Sequence, residues 1–479
     1  MKIRAPHLAF LLGTLLPALS ALAQPDYQFH AAPVSAAPAD PAIAAAIAQV
    51  SDARIRQTIE TLVGFGTRNT LSSMETNPPK GQGINAAADW IFGQFEAIAK
   101  ECGGCLEVKR DTFTNPVAPR IPKPTVLTNV YAILRGTETP DSGSEAAKRM
   151  YLVTGHYDSR NTDVLDTHGA APGANDDASG VAVSLECARV LAKAHADGLK
   201  LPATLVFVAV AGEEQGLNGS AHLAKLAKDE GWQLEGVLNN DIVGGNATPG
   251  DSLQRKDVVR VFSEGFSADL KEAELRRIRS LGLMEDSASR ELARAMSDTA
   301  RTYTPHFAPF LVARPDRYLR GGDHTSFNRE GFAAVRLTEW REDFNHQHQN
   351  VREENGVQYG DLLQFVDFGY VASVARLNAA TLATLAAAPG MPQEVKFDLH
   401  GLDNGSTLTW KAPAGAPADV HYELLWRETT APDWQFAKEI QGGAAGQALT
   451  VTVPISKDNV FFGLRAVDAK GHRGLVVTP

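Results

Sequence analysis

Two adjacent acids, Glu213 and Glu214, end the apolar run of "FVAVAGEEQG" (207–216). Alternation along a strand sends neighbouring side chains to opposite faces. Two carboxylates this close repel unless a cation compensates one of them or one is kept for proton transfer. A solvated loop with a charged tip is the plainer reading of such a pair, so the rest of the chain decides. His156 and Asp158 follow the apolar "YLVTG", Asp176 and Asp177 lie in "GANDDASG", Asp241 follows "VLNN", and His324 stands in "RGGDHTSF" after "FAPFLVA". Singly, each has an ordinary alternative: a histidine hydrogen-bonded in the core or at the surface, or an Asp capping a helix. Together, imidazole and carboxylate are the ligand set of zinc, and two histidines with three carboxylates serve two ions. Charge supports the count, because Asp176, Glu214 and Asp241 with one bridging hydroxide neutralise two divalent cations. Glu213 is then left over as the candidate general base, its neighbour's charge absorbed by metal.

These residues need a frame that gathers them. Short apolar runs at 125–136, 149–159, 203–214, 235–244 and 333–340 alternate with helical patterns at 178–196, 217–230, 285–303 and 359–386. That alternation predicts an α/β fold, a mixed, mostly parallel sheet flanked by helices. In such sheets reactive groups gather outside the carboxyl ends of the strands, which is where the acids and histidines fall. The helical pattern breaks at Pro389, Gly390 and Pro392, and only short alternating segments follow. Residues 391–479 therefore read as a separate small β-sandwich after a catalytic domain at 46–390.

Composition bounds the class. Hydrophobic residues make up 44% and charged residues 21%, the profile of a globular chain long enough for more than one core. With 46 basic against 56 acidic side chains and a net charge of −10, it would repel a phosphate backbone, so no nucleic-acid partner is expected. Residues 1–23 have a basic start, an apolar run from Leu8 to Leu19 and "ALA" before Gln24, the layout of a cleavable secretory signal. No later segment has about 18 consecutive apolar residues, so no integral membrane segment is expected. The product is read as exported, secreted or periplasmic, with residues 24–45 a flexible leader or propeptide-like segment. Export favours a small disulfide between Cys102 and Cys105 in "ECGGC" over a redox or zinc pair, while Cys187 sits in an apolar helical pattern as a buried side chain.

The ordered pieces "GHYD", "GANDDASG", "AGEEQGLNGS", "NNDIVG" and "GGDHTSF", preceded by "GFGTRNT", resemble the co-catalytic zinc aminopeptidases of metallopeptidase family 28. The resemblance implies a zinc-exopeptidase type of sheet, two Zn²⁺ per chain and peptide substrates with a free N terminus. It implies His156 and Asp241 on one zinc, Glu214 and His324 on the other, Asp176 bridging, Asp158 orienting His156, and Glu213 as base. The family also carries a cis bond after the bridging Asp. A tyrosine that some relatives use against the oxyanion is absent, since Asp323 precedes His324; Tyr303 or Tyr318 are substitutes. "NHQHQNV" offers His346 and His348 as candidate pocket residues, with a solvated loop the alternative for at least one. Trp410, Tyr422, Trp426 and "LRAVDAKG" resemble a fibronectin type III module.

Three other functions compete. Glutaminyl cyclase chemistry uses one zinc on a similar fold and does not need the full two-ion set found here. A co-catalytic carboxypeptidase or dipeptidase would carry the same ligands, which do not report which peptide end is recognised. A non-catalytic zinc-binding receptor module would be expected to have lost a ligand or the base.

Overall fold

The computed structural model describes residues 32–479 apart from 138–147, 246, 402, 414–415 and 417–418. The predicted secretory segment lies outside the described residues. An eight-stranded mixed sheet runs in the order Leu106–Asn115, Thr125–Leu134, Thr204–Val210, Arg149–His156, Gln233–Asn240, Ala334–Thr338, Val258–Ser263, Ala308–Val312. The four strands from Thr204–Val210 to Ala334–Thr338 are mutually parallel and form its centre. The expected α/β architecture is what the chain adopts. The edge strand Leu106–Asn115, the strand Val258–Ser263 and the helices Gly83–Glu101 and Glu272–Leu281 were not anticipated from the pattern.

The period of two sorts the central strands between two cores. Tyr151, Val153, Leu205, Phe207 and Ala209 face the helices Ala178–Ala196 and Phe368–Ala387, whereas Met150, Leu152, Val206, Val208 and Val210 face the shorter helices Asn218–Asp229 and His324–Arg329. Every residue of Arg149–His156 and Thr204–Val210 is buried, as continuous apolar runs covered on both faces require. Two glycines set the approach of the site helix. A Cβ on Gly155 would lie 2.3 Å from the Gly180 carbonyl carbon, and one on Gly180 would lie 2.2 Å from the Asn240 oxygen. Only glycine lets the start of Ala178–Ala196 press onto the strand ends.

After Ala387 the chain forms two antiparallel sheets, Gln393–Phe397, Ser406–Lys411 and Ala448–Val453 against His421–Glu428, Phe436–Ile440 and Val460–Val467. This is the predicted small sandwich, with Trp426 fully buried and Trp410 packed edge-on against Tyr422 at 5.3 Å. Residues 32–45, expected as leader, are held in place. Ala32–Pro33 adds a short antiparallel strand to Phe436–Ile440, and the Ser35 carbonyl accepts from Arg473 at 2.8 Å. Asp40 caps the helix Pro41–Ile47, and its backbone N–H donates to the Tyr303 hydroxyl at 2.9 Å. Cys102 and Cys105 form the expected disulfide, and Cys187 is buried and free. Among the described residues no helix is long and apolar enough to cross a membrane.

Candidate metal centre and active site

Loops at the carboxyl ends of the central strands bring two groups of ligand-type side chains together. His156, Glu213 and Asp241 form one, and Asp176, Glu214 and His348 the other, each with donor atoms within 4.8 Å of one another. Asp176 stands between them: Oδ1 is 3.1 Å from His156 Nε2 and Oδ2 is 2.9 Å from His348 Nε2. His348 Nε2 also lies 3.0 Å from Glu214 Oε1, and His156 Nε2 lies 3.9 Å from Asp241 Oδ1. The peptide bond between Asp176 and Asp177 is cis. A cavity of about 730 Å³ opens over the two groups and is lined by Asp176, Glu213, Glu214, Asp241 and His348.

Local hydrogen bonds explain how the loops hold this shape. Asp158 presents its backbone carbonyl to His156 Nδ1 at 3.1 Å, while its carboxylate accepts the backbone N–H groups of Glu213 and Glu214 at 3.2 and 3.1 Å and the Thr70 hydroxyl at 2.9 Å. One residue thus fixes an imidazole and both acids of the adjacent pair. Asp177 caps the helix, accepting from the Gly180 and His156 amides at 2.9 and 3.0 Å. Arg68, in "GFGTRNT", donates to the carbonyls of Tyr157, Pro172 and Gly173 and so ties two of the loops together.

Several participants escape a reading of the sequence. Asp361 accepts the amides of Asn175 and Asp176 at 2.9 and 2.7 Å, anchoring the loop that carries the central carboxylate. Buried Arg336 pairs with Asp241 at 2.7 Å. Gln347 Nε2 donates to Asp176 at 3.1 Å, and Arg160 reaches Glu214 at 2.9 Å. The glycine-bounded loops were legible, but these partners come from distant segments with no motif of their own.

One histidine expected as a ligand is set apart from the others. His324 is fully buried and outside both groups, with Nε2 donating to the Pro315 carbonyl at 2.8 Å. Burial pushes its imidazole down to about 4, so it is a neutral packed side chain. His348 occupies the place assigned to it. His346 instead stacks on Phe365 at 3.6 Å and is buried, so it is neither solvated nor part of either group. Neither tyrosine suggested for the oxyanion lines the cavity: Tyr303 holds Asp40 and Tyr318 is exposed.

The electrostatics are those of a site built for cations. Burial, with the charges of Asp241, Glu214 and Asp323, pushes Glu213 well above the carboxylate range despite His156. Burial likewise lifts Asp323 and Asp361 to about 7. Asp176 goes the other way: burial opposes it, but the two imidazoles hold it well below its usual range. Against burial, Glu214 and Asp176 raise His348 to about 10, so a cation there would displace a proton. Two buried donor atoms aimed at the centre, His156 Nε2 and Glu214 Oε1, complete no hydrogen bond in spite of near neighbours. Orphaned imidazole nitrogen and carboxylate oxygen on one cavity floor fit zinc.

The pattern of peptidase family M28 matches residues 129–359. The chain is 42% identical over 438 residues to a probable zinc metalloprotease of Leptosphaeria maculans, covering 91% of this chain and 96% of that one. It is 44% identical over 451 residues to a probable zinc metalloprotease of Pyricularia oryzae, covering 93% and 86%. Among solved structures it is similar to the LapA aminopeptidase of Legionella pneumophila, with a TM-score of 0.48, 19% identity and coverage of 72% and 74%. Every residue of both ligand groups falls inside the matched span, and more than nine-tenths of the chain aligns with these relatives: the chain belongs to peptidase family M28 and is a zinc metalloprotease.

Proposed function

We propose that this protein is an exported aminopeptidase that uses two zinc ions to remove N-terminal residues from peptides. The observation that carries the reading is Asp176, with one oxygen toward each imidazole and Glu213 beside it on the floor of a single cavity. His156 and Asp241 would hold one ion, Glu214 and His348 the other, and Asp176 both. Zinc bound there supplies Lewis acidity, polarising a carbonyl and making water a nucleophile near neutral pH. Glu213 takes the proton from water and returns it to the leaving amine, a task suited to a carboxyl whose burial raises its proton affinity. Asp158 keeps His156 and Glu213 in register for that transfer.

Aminoacyl arylamides and their N-blocked analogues test this, assayed before and after chelation and zinc return. Cleavage confined to free-amine substrates and restored by about two zinc ions per chain is the expected result. Glu213→Gln is expected to lower kcat by about 10²- to 10⁴-fold with zinc content unchanged, and a smaller loss removes the base from Glu213. A carboxypeptidase or dipeptidase reading draws on the guanidinium groups around the cavity, and cleavage of N-blocked peptides at their C-terminal residue would establish it. The C-terminal sandwich is read as a fibronectin type III-like appendage.

A further inference from the structure

Above the acidic floor the same cavity is ringed with cations: Arg120, Arg160, Arg317 and Arg320 all line it, together with exposed Leu319 and Phe344. Their charge is only partly answered. Arg120, in the turn between the first two sheet strands, donates to the Glu214 backbone carbonyl at 2.8 Å and has no carboxylate within ion-pair reach among the described residues. Arg317 and Arg320 share Glu342 Oε2 at 2.9 and 2.8 Å, and Arg260 reaches the other oxygen of the same carboxylate at 3.3 Å. Arg317 also has Asp316 at 3.1 Å, but Asp316 lies 3.7 Å from Arg336 as well. The floor carboxylates do not make up the deficit, because they are the groups that zinc would neutralise.

Arg160 completes the rim: its Nε lies 2.9 Å from Glu214 Oε2, one of those floor carboxylates, and its Nη2 lies 2.7 Å from His348 Nδ1.

We propose that the arginine rim is a subsite for a carboxylate of the substrate, carried either by an acidic side chain or by the terminal carboxylate of a short peptide. Guanidinium groups match a carboxylate with paired, charge-assisted hydrogen bonds, and Arg160 and Arg317 are half-buried while Arg120 and Arg320 are exposed at the mouth. Leu319 and Phe344 give the apolar stem of the substrate something to rest on. The inference deepens the peptidase reading and rests on it, with the metal-binding floor taking the scissile bond and the cationic rim a carboxylate further along.

The test uses the zinc-loaded protein with two matched pairs, Leu-Glu-amide against Leu-Gln-amide and Leu-Ala against Leu-Ala-amide. The acid member of at least one pair is expected to have a kcat/KM about tenfold or more above its neutral partner, mainly through KM. A difference confined to the first pair identifies a side-chain carboxylate, and one confined to the second identifies the terminal carboxylate. In Arg120→Gln and Arg320→Gln that ratio falls toward one. Equal cleavage within both pairs, or a ratio unaltered in both variants, overturns the subsite. A calorimetric titration of Glu213→Gln with Leu-Glu-amide and Leu-Gln-amide reads the same selectivity without turnover. Selective binding by a protein whose wild type cleaves none of the four peptides would defeat the aminopeptidase reading and keep the subsite. Cleavage without selectivity would do the reverse.

Discussion

Where the helix Ala288–Tyr303 meets the C-terminal sandwich, Asp298 and Glu423 face Arg465 and Arg473 at 2.6 to 3.1 Å, with all four side chains largely buried. On the cavity floor, Asp176, Glu213, Glu214 and Asp241 meet only two fixed cations, the guanidiniums of Arg160 and Arg336, the two imidazoles being positive only while each holds a second proton. The titration directions record the contrast. Against burial, the arginines hold Asp298 and Glu423 below the carboxylate range, whereas burial and like charges raise Glu213 and Asp241. Glu291, also near the junction, shifts upward because burial outweighs its pairing with Arg294 and Trp434, so the contrast belongs to the Asp298 and Glu423 pairs. A buried charge cluster that balances itself ties the C-terminal sandwich to the helix Ala288–Tyr303. One left short of positive charge requires it from outside, and that shortage is what makes the floor a metal site.

Breaking the balanced cluster should cost the most stability and the least chemistry. Asp298→Ala leaves Arg465 and Arg473 with only Glu423 between them, one buried positive charge in excess, and is expected to lower unfolding stability by about 3 to 5 kcal/mol, with zinc content unchanged. Denaturation followed with metal analysis checks it, and loss of zinc at native temperature would show that the two regions are not separable. In the unbalanced cluster a pair of histidine variants sharpens the assignment. His348→Ala should weaken zinc binding by more than the 10- to 100-fold typical of an outer-shell partner, and His324→Ala should leave zinc affinity within that range or above it. Competition against a chelator measures both, and the opposite order would restore His324 as the ligand.

The same two histidines show what a sequence can and cannot carry. The frame was readable because buried strands announce themselves as apolar runs: the helix pattern at 178–196 and the central strands fall where they were expected. The strand-end rule then found His156, Asp176, Glu213, Glu214 and Asp241 correctly as neighbours. It selected His324 because "FAPFLVA" is also a strand, but Ala308–Val312 is the outermost of the eight, far from the parallel centre. His348 follows Ala334–Thr338, which pairs directly with the Asp241 strand. Strand order is a long-range property that alternation does not encode, so the rule was sound and its application lacked the map. Asp361 and Arg336 were illegible for the same reason, since each acts on a loop more than ninety residues away in the chain.

The smallest expected effect separates the two regions by pH. At the junction, depressed carboxyl groups contribute stability above their unfolded values, about 3.9 for Asp and 4.3 for Glu, and lose it as pH falls through the folded ones. This loss is confined to acid below about pH 4 and should be the same with and without zinc. At the floor the sign reverses. Asp323 and Asp361, raised to about 7, bind protons more tightly in the folded chain than in the unfolded one. Between about pH 4 and 7 the folded state therefore holds protons that the unfolded state has released, and stability declines as pH rises, by at most about 1.4 kcal/mol per pH unit for each group. A cation bound nearby favours the ionised form of these carboxyl groups against burial and should flatten the slope. Urea denaturation of chelated and zinc-loaded samples across pH 5 to 7 measures the difference. Diverging lines that converge toward acid are expected, and parallel lines would mean that zinc does not answer the charge deficit that distinguishes this region from the junction.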